Sequence, residues 1–117
     1  MAAPNIAALV TMTGKVEGLA VTTSATAIVT NASGSNSVYK INSLLISNIS
    51  VSAANITVEL VKNSATAYRI LYQVVVPSGA SLDVLNKFFY LEENDSVRLI
   101  ASANTSLEAV CSYEVIA

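Results

Sequence analysis

From Val74 to Ile116 the chain reads VVVPSGASLDVLNKFFYLEENDSVRLIASANTSLEAVCSYEVI. An apolar run stops at Pro77-Ser78-Gly79 and restarts at Ser81. It stops again at Glu92-Glu93-Asn94-Asp95, restarts at Val97, pauses at Asn104-Thr105 and finishes on Leu107 to Ile116. Short runs rich in Val, Ile, Leu and aromatic residues, cut by Gly, Pro, Asn and Asp, are the pattern of antiparallel strands joined by turns. In the last run Leu107, Ala109, Cys111, Tyr113 and Val115 share one parity, while Glu108 and Glu114 fall on the other. Successive strand side chains point to opposite faces, so the Cys111 side is expected to face the core. Leu99 is expected there too.

Upstream of this stretch the same rhythm continues. Thr66 to Val76 carries Tyr68, Ile70, Tyr72 and Val74 on one parity and Arg69, Leu71, Gln73 and Val75 on the other. Asn63-Ser64 reads as a turn, and Asn55 to Asn63 alternates Ile56, Val58 and Leu60 with Thr57 and Glu59. Ser37 to Asn48 is apolar on both parities, as expected of a central strand covered on both sides or lying at an interface. Thr22 to Asn31 is β-rich and ends in a loop over 31–36. Between Ala8 and Thr23, Gly14 and Gly18 disfavour a helix and suggest one or two short strands interrupted by a turn or bulge. Residues 1–7 read as an extended arm. No helix-period segment appears. The expectation is one all-β domain over 8–117: an antiparallel β-sandwich, jelly-roll or Ig-like, of eight or nine short strands.

Composition limits the chemistry. Charged residues make up 12% of the 117 residues, against about 25% in ordinary soluble domains. The surface must therefore be built largely from neutral residues, which keep molecules apart poorly and suit a surface covered by a partner. The six cations, Lys15, Lys40, Lys62, Arg69, Lys87 and Arg98, are scattered, whereas a nucleic-acid groove needs them clustered. No apolar run reaches the ~18 residues of a membrane span, and the N-terminus has no basic segment of the secretory type. The sequons at Asn31, Asn48, Asn55, Asn94 and Asn104 read as products of an Asn-, Ser- and Thr-rich composition.

No catalytic constellation emerges. There is no His to serve as base or metal ligand. Neighbouring carboxylates such as Glu92 and Glu93 point apart in a strand-turn setting, so the Glu92–Asp95 turn is expected to be solvated rather than a catalytic dyad. It also lacks the spacing of a Ca²⁺ loop. Cys111, the single cysteine, reads as a small buried hydrophobe. There is no G-x-S-x-G and no glycine-rich phosphate cradle. We expect no enzyme and no cofactor. Phe88-Phe89 is more informative: one ring must point inward and the other outward, where it needs cover from a loop, a second layer or another subunit.

These segments resemble small virion proteins of tailed bacteriophages, including cyanophages. The shared patterns are I-S-N-x-S at Ile46 to Ser50, V-P-x-G at Val76 to Gly79, Y-L-E-E-x-D-S at Tyr90 to Ser96, and a V-x-S-Y-x-E-like ending approached by Val110 to Glu114. The resemblance spans about residues 44–116. It implies a β-sandwich that decorates or cements a capsid, with a tail, neck or fibre-associated position as the alternative. It implies a virion location after assembly in the host cytoplasm, and the major capsid protein or other virion proteins as partners. Homo-oligomerisation is expected, because a closed oligomer buries neutral faces and removes sheet edges. The candidate contact residues are Ala2, Ala3, Pro4, Asn5 and Ile6 of the arm, the loop at 31–36, and Phe88 and Phe89. A receptor- or glycan-binding module using exposed Tyr is the reading from another class.

Overall fold

The computed structural model describes residues 11–117; the expected arm, with Ala2 to Ile6, lies outside the described residues. Nine strands follow in order: β1 (Met12–Val21), β2 (Thr26–Thr30), β3 (Val38–Asn48), β4 (Ala54–Lys62), β5 (Thr66–Val76), β6 (Ser81–Asp83), β7 (Phe89–Leu91), β8 (Ser96–Ala101) and β9 (Leu107–Ile116). They form two antiparallel sheets. Sheet A runs β1-β9-β3-β6, with β7 also paired to β3; sheet B runs β2-β8-β4-β5. Among the described residues no helix is long and apolar enough to cross a membrane.

The pairings are nested: β4 with β5, β3 with β6 and β7, β2 with β8, β1 with β9. The chain is therefore one long two-stranded ribbon, folded at the β4–β5 turn and rolled so that successive ribbon pairs alternate between sheets. That is the order of a jelly roll rather than of an Ig sandwich. The turn at its tip is Asn63-Ser64, with φ of 53° and 55°, closed by the Ala65 N–H donating to Lys62 O at 2.9 Å. Two successive positive φ values match the right-handed twist of the strands they join.

The core lies between the sheets. Ile41, Leu44, Ile46 and Cys111 of sheet A face Ile56, Val58, Val97 and Leu99 of sheet B, all fully buried. The inward parity of β9 is the one expected, with Leu107, Ala109, Cys111 and Tyr113 buried and Glu108 exposed.

Two strands differ from expectation. In β3, Ile41 pairs with Tyr113 but Ser43, not Asn42, pairs with Ser112. Asn42 is the extra residue of a β-bulge, which switches parity mid-strand. Ile41 and Leu44 therefore both point inward. The apolar groups on both parities reflect this switch, and only Leu45 among the larger apolar residues of the strand is left exposed on the outer face. In β1, Gly14 and Gly18 do not interrupt the strand; it pairs with β9 without a register shift from Met12 to Val21. A Cβ at Gly14 would meet nothing within 4 Å, so the glycines fill no tight space there.

Candidate interaction surfaces

The strand register places a defined set of side chains on the outer face of sheet A. Across its middle run Gly18, Val110, Leu45 and Asp83, one from each of β1, β9, β3 and β6. Val16, Ser112 and Ser43 form the next row. Val16 is 66% exposed, Val110 45% and Leu45 43%. Because Gly18 carries no side chain, a shallow groove of about 320 Å³ opens beside Val110, floored by β1 and β9.

One end of this face is aromatic. Phe89 pairs with Ile41 and turns inward onto the core, whereas Phe88 is 53% exposed. The Phe88 ring meets Tyr90 edge-on at 5.6 Å, and the Lys40 ammonium sits 4.3 Å from its centroid. Lys40 also lies 3.9 Å from Glu114, which accepts a hydrogen bond from Asn42 Nδ2 at 3.2 Å. The two Phe residues thus divide as a strand requires, and the outward ring belongs to the sheet A face.

β1 adds to this surface from both sides. From Met12 to Gly18 all its residues are exposed, including Lys15 and Glu17, which share the inward parity of Tyr113 and Cys111. Sheet B does not reach over this half of the strand. Burial, with the nearby Glu17 carboxylate adding to it, raises the Tyr113 hydroxyl above its ordinary pKa and pushes the Cys111 thiol up to about 11.

The outer face of sheet B holds a charged row that the alternation of residues 55–63 did not reveal. Glu59 is only 3% exposed. Its Oε1 accepts from Arg98 Nε at 2.8 Å and Nη2 at 2.6 Å, and its Oε2 lies 3.4 Å from Arg69 Nε. The three residues are register partners on β8, β4 and β5. Tyr72 lies under the Arg69 guanidinium at 5.5 Å, and Val75 is exposed nearby on β5.

The two ends of the sandwich are built on buried asparagines. Asn31 donates from Nδ2 to Ser37 O and Leu91 O, both at 2.9 Å, and its N–H donates to Asp95 O. At the opposite end Asn48 donates to Ser52 O and Val76 O at 2.9 and 2.8 Å and accepts from Ser50. Both Nδ2 groups are committed, so neither sequon can carry a glycan in this fold.

The acidic turn also departs from expectation. Glu92 is exposed, but Asp95 is buried. Its carboxylate accepts from Lys62 Nζ at 2.6 Å and from the N–H groups of Asn63 and Glu92, both at 3.0 Å. Burial pushes the Asp95 carboxyl up; these donors outweigh it and hold the group below its ordinary value. Asp95 thereby ties the β4–β5 hairpin tip to the β7–β8 turn, while Glu93 Oε2 accepts from the Asn36 N–H at 2.7 Å. Ser33, Lys62, Asn63 and Glu92–Asp95 line a shallow polar depression of about 350 Å³. Among the described residues no group of three His, Cys, Asp or Glu is placed to hold a metal ion.

No family model matches the chain, and no curated protein matches it. Among solved structures it is similar to a chain of Bacillus endospore appendages, which form a family of disulfide-linked pili. The TM-score is 0.56 and the identity 14%, over 98% of this chain and 95% of that one. At that identity the likeness is one of fold.

Proposed function

We propose that this chain is a structural subunit of a tailed-bacteriophage virion, a head decoration or cement protein that acts through contacts with the major capsid protein and with further copies of itself. The observation that carries the reading is the outer face of sheet A, on which Val16, Leu45, Val110 and Phe88 stand exposed. Jelly rolls are a recurrent capsid architecture, although a fold hosts many functions. The turn patterns shared with phage virion proteins fall on the β3–β4, β5–β6 and β7–β8 connections, which hold both ends of the sandwich together. The pilus likeness supports assembly as a use for such a domain. Its disulfide linkage does not carry over, because Cys111 is the single cysteine and is buried.

Quantitative mass spectrometry of purified virions tests this. A copy number near that of the major capsid protein supports decoration. A few copies per particle place the chain in the tail or neck, and absence from the particle overturns the proposal. Strong binding on a glycan array, lost in Tyr68→Ala and Tyr72→Ala, would favour a receptor-binding module instead.

A further inference from the structure

The two outer faces of this molecule differ in a way that suits them to each other. On sheet A the strand residues facing outward include Asp83, Glu108 and Glu114 against the one ammonium of Lys40, around an apolar centre of Val16, Leu45 and Val110. On sheet B they include Arg69 and Arg98 against the one carboxylate of Glu59, beside exposed Tyr72 and Val75. One face is acidic and the other basic. Each offers apolar side chains next to its charges, and opposite potentials set orientation and suppress wrong pairings.

We propose that the outer face of sheet A docks on the outer face of sheet B of a second copy, head to tail. This deepens the assembly reading above and rests on it for biological meaning, but not for its test. A face-to-face pairing of two sheet A surfaces would instead set acidic side chains against acidic ones. With strands ~4.8 Å apart and ~3.4 Å per residue, the four-stranded face covers about 500 Å². Stacking two copies therefore buries about 1,000 Å² in all, the lower end of specific interfaces. The contact is a weak and reversible one in solution. Because the two faces lie on opposite sides of the sandwich, a docked pair leaves one face of each kind free, and the contact propagates.

Two variants with one altered face each decide the matter. Leu45→Asp/Val110→Asp puts two carboxylates into the apolar centre of the sheet A face. Val75→Asp puts one on the sheet B face, opposite the acids of its partner. All three positions are exposed, so both variants should keep the wild-type circular dichroism spectrum. Sedimentation velocity is followed from about 10 to about 500 µM, a range set by an interface of this size. Wild type should grow in mass with concentration, and each variant alone should stay a monomer. The equimolar mixture should form a one-to-one dimer and nothing larger, since one intact face of each kind remains. The proposal is overturned if wild type stays monomeric throughout, if Val75→Asp associates like wild type, or if the mixture stays monomeric. Any of these leaves the virion copy number untouched, so the two proposals fail separately.

Discussion

The Lys62 ammonium lies 2.6 Å from Asp95 Oδ2, joining the end of β4 to the turn before β8. Asp95 is 1% exposed and Lys62 is more open, so the pair is a buried carboxylate with a partly solvated partner. The hydrogen bond to Asp95 raises the Lys62 pKa above 10.5, while the Asp95 carboxyl sits below 3.8 in the folded state. A depressed carboxyl contributes stability above its unfolded pKa and loses it as pH falls through the folded value. A raised lysine contributes below its unfolded pKa and loses it as pH rises through the folded one. The pair therefore stabilises the fold fully between about pH 5 and pH 9, values set by the two ordinary pKa ranges. Asp95→Asn should cost about 2 kcal/mol at pH 7, as a buried acceptor of charged and backbone donors. Its cost should shrink as pH falls below about 4. Urea unfolding at pH 7 and pH 3 measures this; an equal cost at both would show that the Asp95 charge is not what holds the turn.

Leu99 and Val16 are both aliphatic strand residues, and the fold treats them oppositely. Leu99 is fully buried between the sheets, while Val16 projects from the outer face of β1. Leu99→Ala should cost about 2–5 kcal/mol, the range for emptying a packed core site. Val16→Ala should stay within about 0.5 kcal/mol, as for surface changes. Denaturant midpoints compare the two directly. Similar shifts for both would mean that the inward face of sheet B is misassigned.

How much of this was legible in the sequence depends on what each residue answers to. Leu99, Cys111 and the β9 parity follow from alternation alone, because burial of one sheet face imposes it. Phe88 and Phe89 divide inward and outward for the same reason. Glu59 was not legible: its alternation marks an outward residue, and outward acids are normally solvated. It is covered by Arg69 across the β4–β5 hairpin and by Arg98, which comes from a strand far away in sequence and falls beside it only once the ribbon is rolled. Asp95 was hidden similarly. Its turn chemistry was readable, but its burial depends on Lys62 and Asn63 arriving from the β4–β5 tip. The jelly-roll order itself rests on nested long-range pairing, and no local pattern specifies that.

Cys111 makes a chemical prediction. Its thiol is buried, and that burial pushes it up to about 11. Only the thiolate reacts. At pH 8 its thiolate fraction is therefore about 100-fold or more below that of a free cysteine with pKa ~8.5. Alkylation by iodoacetamide should be slower in the native protein by at least that factor and should accelerate to the free rate in 8 M urea, a concentration above the unfolding midpoint expected of a small domain (~3–6 M). Native alkylation at the free rate would mean that the β9 inward face opens readily.

The bulge at Asn42 offers the sharpest test of the register. Asn42 is exposed, and its side chain reaches only Glu114 in the hydrogen bonding described, so Asn42→Ala should cost less than about 1 kcal/mol. Deleting Asn42 tests the bulge itself. Without the extra residue, Ile41 and Leu44 stand two positions apart and share one face of a regular strand, and Ile41, Ser43 and Leu44 keep Tyr113, Ser112 and Cys111 as partners in an unbroken ladder. Ile41, Leu44 and Ile46 should therefore stay buried, and the deletion should cost no more than about 2 kcal/mol, from the local bend and twist that a bulge supplies. Urea unfolding of the two variants side by side measures this. A loss of about 5 kcal/mol on deletion, the scale of core disruption, would show that the pairing of β3 with β9 depends on the extra residue.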